Sequence, residues 1–409
     1  MMRILCPFCL RASTALFLAA LISFVQPLAA GETQDSAGAQ AQAAWDRAQE
    51  ALADDDPYTA VTELREAVEL APGNTRYNIG LSTVMMEIGQ PHEAAVILKS
   101  IVAHARSTGD EAMLARMLYL QGRALMEGRA GREAIKVYAE AIPLLDDIGM
   151  VTEAADARNQ LGWLSMHLKD VGAAQALFAG ALAKPLKGDS KHIMLQARLN
   201  LGIALIGQGR LLDATPELEL AVDGFREVGR SGAQSVAMIA LGLVQSLSGD
   251  LVGAYDNLRD AKKTLAGNGE SLRERGYYLV LRPLRFLPSD IKAIEVEQRG
   301  ESALFDRVGK DPQSLQVLSD IAVYRVRGGD FASAERMARR GLDMSMSEGP
   351  VAIARAKRSL GFVLLAAGSG GRVEGCELLK QAYGPLFEAA DTQAATSVLL
   401  LQSEYKCER

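Results

Sequence analysis

Residues that could do chemistry are few in this chain, and their spacing is poor for catalysis. Cys6-Pro7-Phe8-Cys9 has the spacing of a thiol–disulfide redox pair. Such a pair works beside a βαβ unit that lowers one thiol's pKa, and this one lies in an apolar N-terminal segment instead. The four histidines, His92, His104, His167 and His192, lack the spacing that puts two imidazoles on one helix face around zinc. Asp54-Asp55-Asp56 could in principle hold a cation, but it stands where a first helical hairpin turns. An aspartate there ordinarily caps the next helix. Phosphate-cradling loops, a nucleophile elbow and a dinucleotide fingerprint are all absent from the sequence. These patterns support no enzyme, no metal site and no cofactor. What remains is binding chemistry carried by scattered arginines and by Trp163, the one tryptophan in the middle of the chain. What those side chains can do depends on the elements that hold them.

Those elements are announced by a repeat. Gly122, Gly162, Gly202 and Gly242 are 40 residues apart, and so are Ala94, Ala134, Ala174, Ala214 and Ala254, with Ala334 two periods on. Ala141, Ala181, Ala221 and Ala261 form a third column with the same step. Three columns in register indicate one helical unit copied and stacked. In one copy, Gln196–Leu205 reads as a first helix that ends at Gly207-Gln208-Gly209, and a second helix carries Ala214, Leu218 and Ala221. Gly249-Asp250 and Gly329-Asp330 predict helix ends: the glycine turns left-handed and the aspartate caps the helix that follows. The Gly and Ala columns predict two backbones in close approach.

This pattern resembles the tetratricopeptide repeat. Leu161-Gly162 followed by Ala174-x3-Phe178-x2-Ala181 matches its signature, and Ala134-x3-Tyr138-x2-Ala141 nearly so. The first copy, Ala60-x3-Leu64-x2-Ala67 with Pro72, precedes Ala94 by 34 residues, the usual family length, whereas later copies are longer. The resemblance implies an all-α, right-handed α-solenoid of stacked antiparallel helix pairs, with eight to nine units and a concave groove lined by the first helix of each. Groove positions mapped onto this chain are Arg116, Tyr119, Arg123 and Met126, then Asn159, Trp163 and Met166, then Asn200, Ile203 and Ile206, and then Leu243. The family's carboxylate-clamping asparagine falls on Thr83, Arg123, Trp163, Ile203 and Leu243, so that clamp is missing. The partner-binding set is therefore Arg116, Tyr119, Arg123, Met126, Asn159, Trp163, Met166, Asn200 and Ile203. Trp163 could equally pack between adjacent helices.

The same period makes Val398-x2-Leu401-x3-Tyr405 an unpaired capping helix. Cys376 then starts a second-type helix and Cys407 ends the antiparallel helix stacked on it. A disulfide between them is expected in an oxidising compartment, worth roughly 3 to 4 kcal/mol by loop entropy; the alternative is two independent buried thiols.

The termini set the compartment. Arg3 and Arg11, the apolar run Ser13–Val25 and the small residues Leu28-Ala29-Ala30 read as a signal peptide over residues 1–30. The run is shorter than the roughly 20 residues of a spanning helix. Residues 31–43 read as a flexible leader, 44–270 as the N-terminal array and 313–409 as C-terminal repeats with a capping helix. Between them, 271–312 reads as a degenerate repeat with a break at Pro283. It either bends the solenoid or, through Arg273, Arg275, Arg282 and Arg285, offers a basic face to an acidic partner. Losing Arg3 and Arg11 from 44 Lys+Arg leaves 42 against 50 Asp+Glu, a net charge of −8. That balance argues against nucleic acid or an anionic membrane. The expectation is a periplasmic or secreted scaffold or adaptor, not an enzyme, that binds a protein segment in its groove. Self-assembly without a separate ligand is the alternative, and an enzyme with a dispersed site is a weaker one.

Overall fold

The protein is described here by a computed structural model covering residues 36–186, 188–267, 298–309, 315–368 and 370–407. The signal segment, Pro283 and the four arginines near it lie outside the described residues. Those residues form eighteen α-helices, packed as neighbouring pairs, and no strand. In chain order the first twelve are α1 (Ser36–Ala53), α2 (Pro57–Leu70), α3 (Thr75–Glu87), α4 (Pro91–Thr108), α5 (Glu111–Glu127), α6 (Gly131–Asp147), α7 (Val151–His167), α8 (Val171–Ala181), α9 (Lys191–Gly207), α10 (Leu211–Glu227), α11 (Ser231–Ser248) and α12 (Leu251–Gly267). The rest are α13 (Gln298–Gly309), α14 (Leu315–Arg327), α15 (Phe331–Ser345), α16 (Pro350–Ala367), α17 (Arg372–Glu388) and α18 (Thr392–Glu404). Two compact units divide the chain. One holds residues up to Leu168 with Gly180–Ile193, and the other Lys169–Ala179 with the chain from Met194.

The 40-residue period follows from helix lengths: α5, α6 and α7 each have 17 residues and are joined by three-residue turns. The turns use the expected devices. Gly249 and Gly329 take φ of 92° and 77°. Asp250 then accepts from the Gly253 N–H at 2.9 Å and Asp330 from the Ser333 N–H at 3.1 Å. Asp56 caps α2 through the Thr59 N–H, so the Asp54–Asp56 run includes a helix cap.

The columns act as the repeat requires. The alanines at 94, 134, 174, 214, 254 and 334 have no exposed surface. A Cβ on Gly202 would stand 2.6 Å from Leu218 Cδ2, and one on Gly122 2.6 Å from Tyr138 Cε1. Carbon atoms need about 3.5 Å or more. Glycine is therefore what lets the second helix of these pairs seat its large side chain on the first.

One expectation is corrected. Residues 36–43 are not leader, because α1 begins at Ser36. Ala41 is fully buried there, and Gln42 accepts a hydrogen bond from Tyr77 at 3.1 Å. Alanine and glutamine form helix readily, and here the helix has α3 to pack on.

Between the Ala254 and Ala334 copies, where the period counts a further repeat, α14 packs directly on α11 and α12. The side chain of Arg325, fully buried, donates to the Ser246 carbonyl at 2.8 Å and pairs with Asp330. Within 271–312 the described helix, α13, packs against α12 and α15. Arg307 bonds Asp256 at 3.0 and 3.1 Å. Glu301 accepts from Ser333 Oγ at 2.6 Å and from both Arg336 nitrogens at 2.6 and 2.8 Å.

At the C-terminal end, α18 buries Ala394, Ala395 and Val398 against a core containing Leu379, Ala382 and Leu386. Cys376 and Cys407 are disulfide-bonded with Cα atoms 5.5 Å apart. The Arg372 guanidinium caps the end of α18 through the Tyr405 and Lys406 carbonyls at 3.1 and 3.2 Å.

Candidate functional site

The first helices α5 and α7 of the first unit carry most of the expected groove residues, and the structure sorts them by burial. Asn159 and Met166 are buried, as are Asn200 and Ile203 in the second unit and Tyr119 at 8% exposure. They are not contact residues on an open face. Asn159 Nδ2 donates to the Ile193 carbonyl at 3.0 Å, and Asn200 accepts from Gln196 at 3.1 Å. In the second unit α11 is buried on nearly every side, as expected of a helix that is apolar all round. Arg116, Arg123, Met126 and Trp163 keep part of their surface accessible. Trp163 is half-buried, its ring edge-on to His167 at 5.0 Å between centroids.

Around Arg123 the face becomes a polar cluster, and much of it was not singled out by sequence. Tyr119 donates its hydroxyl to Asp156 Oδ2 at 2.8 Å, and Gln160 Nε2 reaches Asp156 Oδ1 at 3.3 Å. The Arg123 side chain is 32% exposed, and its Nη2 lies 3.8 Å from Glu127 Oε1, beyond hydrogen-bond distance. Arg116 turns its Nε toward Met150 Sδ at 3.3 Å. Beneath them lies Tyr138, fully buried, whose hydroxyl has no hydrogen-bond partner. Burial, with Asp156 next in weight, pushes the Tyr119 and Tyr138 phenols well above their ordinary range, so both stay neutral. Burial also raises the Glu127 carboxyl, against the opposing pull of Arg123.

Sequence did hold a signal for the residues it missed. Tyr138 shares its column with Leu98, Phe178, Leu218 and Leu258, all fully buried, so only this copy brings a hydroxyl into the interior. Glu127 follows Arg123 by one helical turn. The arrangement offers no nucleophile paired with a base. Among the described residues no group of three or more His, Cys, Asp or Glu is placed to hold a metal.

Helix pairs of this length, closed by a glycine on the first helix and alanines on the second and stacked in series, define the architecture. The fold is tetratricopeptide-like. No protein-family model and no curated protein matches the chain. Among solved structures it is similar to the quorum sensor NprR from B. thuringiensis, at 12% identity over 80% of this chain and 91% of that one, with a TM-score of 0.49. It is also similar to Pseudomonas aeruginosa pilF, at 17% identity over 60% and 99% and a TM-score of 0.42. For the MamA protein the values are 20% identity, 47% and 96%, and a TM-score of 0.38. At that level of similarity these proteins say nothing of what the tetratricopeptide-like chain binds. No described helix is long and apolar enough to cross a membrane.

Proposed function

We propose that this chain is an exported, non-catalytic scaffold or adaptor that captures an extended segment or amphipathic helix of another protein on the inner face of its first unit. The observation that carries this reading is the contrast between copies of one repeat. Where the second unit fills the column with buried Ile203 and Leu243, the first presents Arg123 and Trp163, both partly accessible. Tryptophan and arginine are the commonest anchors of binding energy at protein interfaces. Arg123 supplies donors, and Trp163 with Met126 supplies apolar surface beside them.

Export rests on the signal-like segment 1–30 and is supported by the Cys376–Cys407 disulfide, which belongs in an oxidising compartment. A role in envelope assembly, secretion or export fits that location. The test is crosslinking in the exported fraction, comparing wild type with Trp163→Ala/Arg123→Ala. Loss of one crosslinked partner at unchanged melting temperature is the expected result. An unchanged partner set moves binding off this face. Crosslinks between copies of the chain alone would favour a self-assembling structural protein.

A further inference from the structure

α18 is built as the first helix of a pair, but among the described residues no second helix packs on it. Its register against other first helices is set by the N-cap positions Asp110, Met150, Gly349 and Asp391. Nine residues after the cap, three of these helices hold a side chain that reaches the next first helix. Tyr119 donates to Asp156 at 2.8 Å, Asn159 to the Ile193 carbonyl at 3.0 Å and Arg358 to Ser397 Oγ at 3.4 Å. Twelve residues after the cap stand Gly122, Gly162 and Gly361, all buried. A Cβ on Gly122 or Gly361 would crowd Tyr138 or Leu379 of the paired second helix. In α18 the same two positions are Leu400 and Ser403, and both are exposed.

The bare face is uncharged. Thr392, Thr396, Leu399, Leu400 and Ser403 are exposed and recur at the spacing of one helix face. Leu399 keeps 48% of its surface and Leu400 64%. A helix face turned to water ordinarily carries charge. That holds for α6, which exposes Arg132, Glu133, Lys136 and Glu140, and for α1, which exposes Asp46, Arg47 and Glu50. Terminal units of a stacked array need a polar outer face for solubility. α1 has one, and α18 does not. The Cys376–Cys407 disulfide and the Arg372 cap also fix α18 in place, which lowers the cost of docking on it.

The occupant must match two adjacent leucines flanked by small hydroxyl residues. α1 offers charge instead, so a head-to-tail stack of copies has no matching surface. α18 matches itself. A two-fold contact sets one patch against the same patch, and only a face without charge avoids bringing like charges together there. Thr396 and Ser403 leave room for the leucines of a second copy to seat between them. Antiparallel packing opposes the two helix dipoles and carries the exposed Lys406 toward Asp391 of the second copy.

We propose that this chain dimerises through α18, packed antiparallel on α18 of a second copy across a two-fold axis. The contact is one helix of 13 residues. Such a helix is about 20 Å long, which makes the interface smaller than a standard one, and the dimer weak and concentration-dependent. α18 belongs to the second unit, so the capture face proposed above takes no part in it.

Sedimentation of the full chain over a range of concentrations should show its mass rising from monomer toward dimer. Leu399→Lys/Leu400→Lys should raise the dissociation constant about tenfold or more. The monomer should melt unchanged, because both side chains already face water. Leu212→Lys/Leu220→Lys, at two exposed leucines of α10, should dimerise as wild type does, and so should Trp163→Ala/Arg123→Ala. Leu400→benzoylphenylalanine should crosslink α18 to α18 of a second copy. A monomer at every concentration, a dimer indifferent to the lysine pair, or crosslinks from position 400 to any other element would overturn the proposal. A crosslink from position 400 to a different protein, with the purified chain monomeric, would give the face to that protein instead.

Discussion

Replacing both cysteines, as Cys376→Ser/Cys407→Ser, should release α18 from the stack while leaving the rest of the array folded. The bond links positions 31 apart in sequence, and for a loop of that length the chain-entropy model gives about 3 to 4 kcal/mol. The helix has little else to hold it. Ala394, Ala395 and Val398 are its buried hydrophobic residues, and burying a valine contributes about 1.5 to 3 kcal/mol. Ordering each of its 13 residues costs roughly 1 kcal/mol or more before hydrogen bonds and packing return it.

Stability in a repeat array is local, so the loss should appear at the end and not throughout. The assay is amide hydrogen exchange read peptide by peptide. Protection in α18 should fall by about two to three orders of magnitude, since about 1.4 kcal/mol is tenfold, while α3 to α6 stay unchanged. A dithiol reductant added to wild type should reproduce the pattern. A change in α18 of less than tenfold would refute the reasoning and show that Arg372 and the small core suffice. Free thiols in protein taken from the exported fraction would remove the disulfide's support for export.

Other perturbations test the packing and the attachment of α13. Gly122→Ala should destabilise by about 1 to 2 kcal/mol in urea melts, because overpacking against Tyr138 outweighs the roughly 1 kcal/mol that alanine gains in a helix. Gly232→Ala, where a Cβ meets nothing within 4 Å, should be neutral or stabilising. Arg325→Met should cost about 3 kcal/mol by leaving Asp330 and the Ser246 carbonyl without their buried partner. At Glu301 burial opposes the charge, but hydrogen bonds from Arg336 and Ser333 outweigh it and hold the carboxyl below the usual glutamate range. Its contribution is therefore complete above the ordinary glutamate pKa of about 4.3 and is lost as pH falls through the lower folded value. Exchange in α13 should accelerate selectively in acid, and Glu301→Gln should show that acceleration already at neutral pH.

What sequence disclosed here was whatever depends on neighbours a few residues away or one period away. The Gly202–Leu218 approach, the Asp250 and Asp330 caps and the juxtaposition of Cys376 with Cys407 all follow from a constant step. The contact of α14 with α11 and α12 was hidden because 80 residues between Ala254 and Ala334 is two periods, so counting placed a further repeat between them. Burial on the inner face was hidden for a different reason. Column arithmetic assigns Asn159 and Trp163 to the same helix face. It says nothing of the Ile193 carbonyl that turns Asn159 inward. The lack of a hydrogen-bond partner for the Tyr138 hydroxyl among the described residues is a property of which partners are absent, and no pattern of spacing records an absence.

The long separation between α12 and α14 also has a consequence for the order in which the chain folds. Between most other consecutive helices the turn is two to four residues, so structure can spread from one copy to the next. Between α12 and α14 the chain must first bring positions 267 and 315 together, which by loop entropy costs on the order of 2 kcal/mol more than a short turn. Propagation should pause there. The copies before it and the copies after it would then form as two cooperative blocks, joined late by Arg325 reaching Ser246, with α13 fastening the seam from α12 to α15.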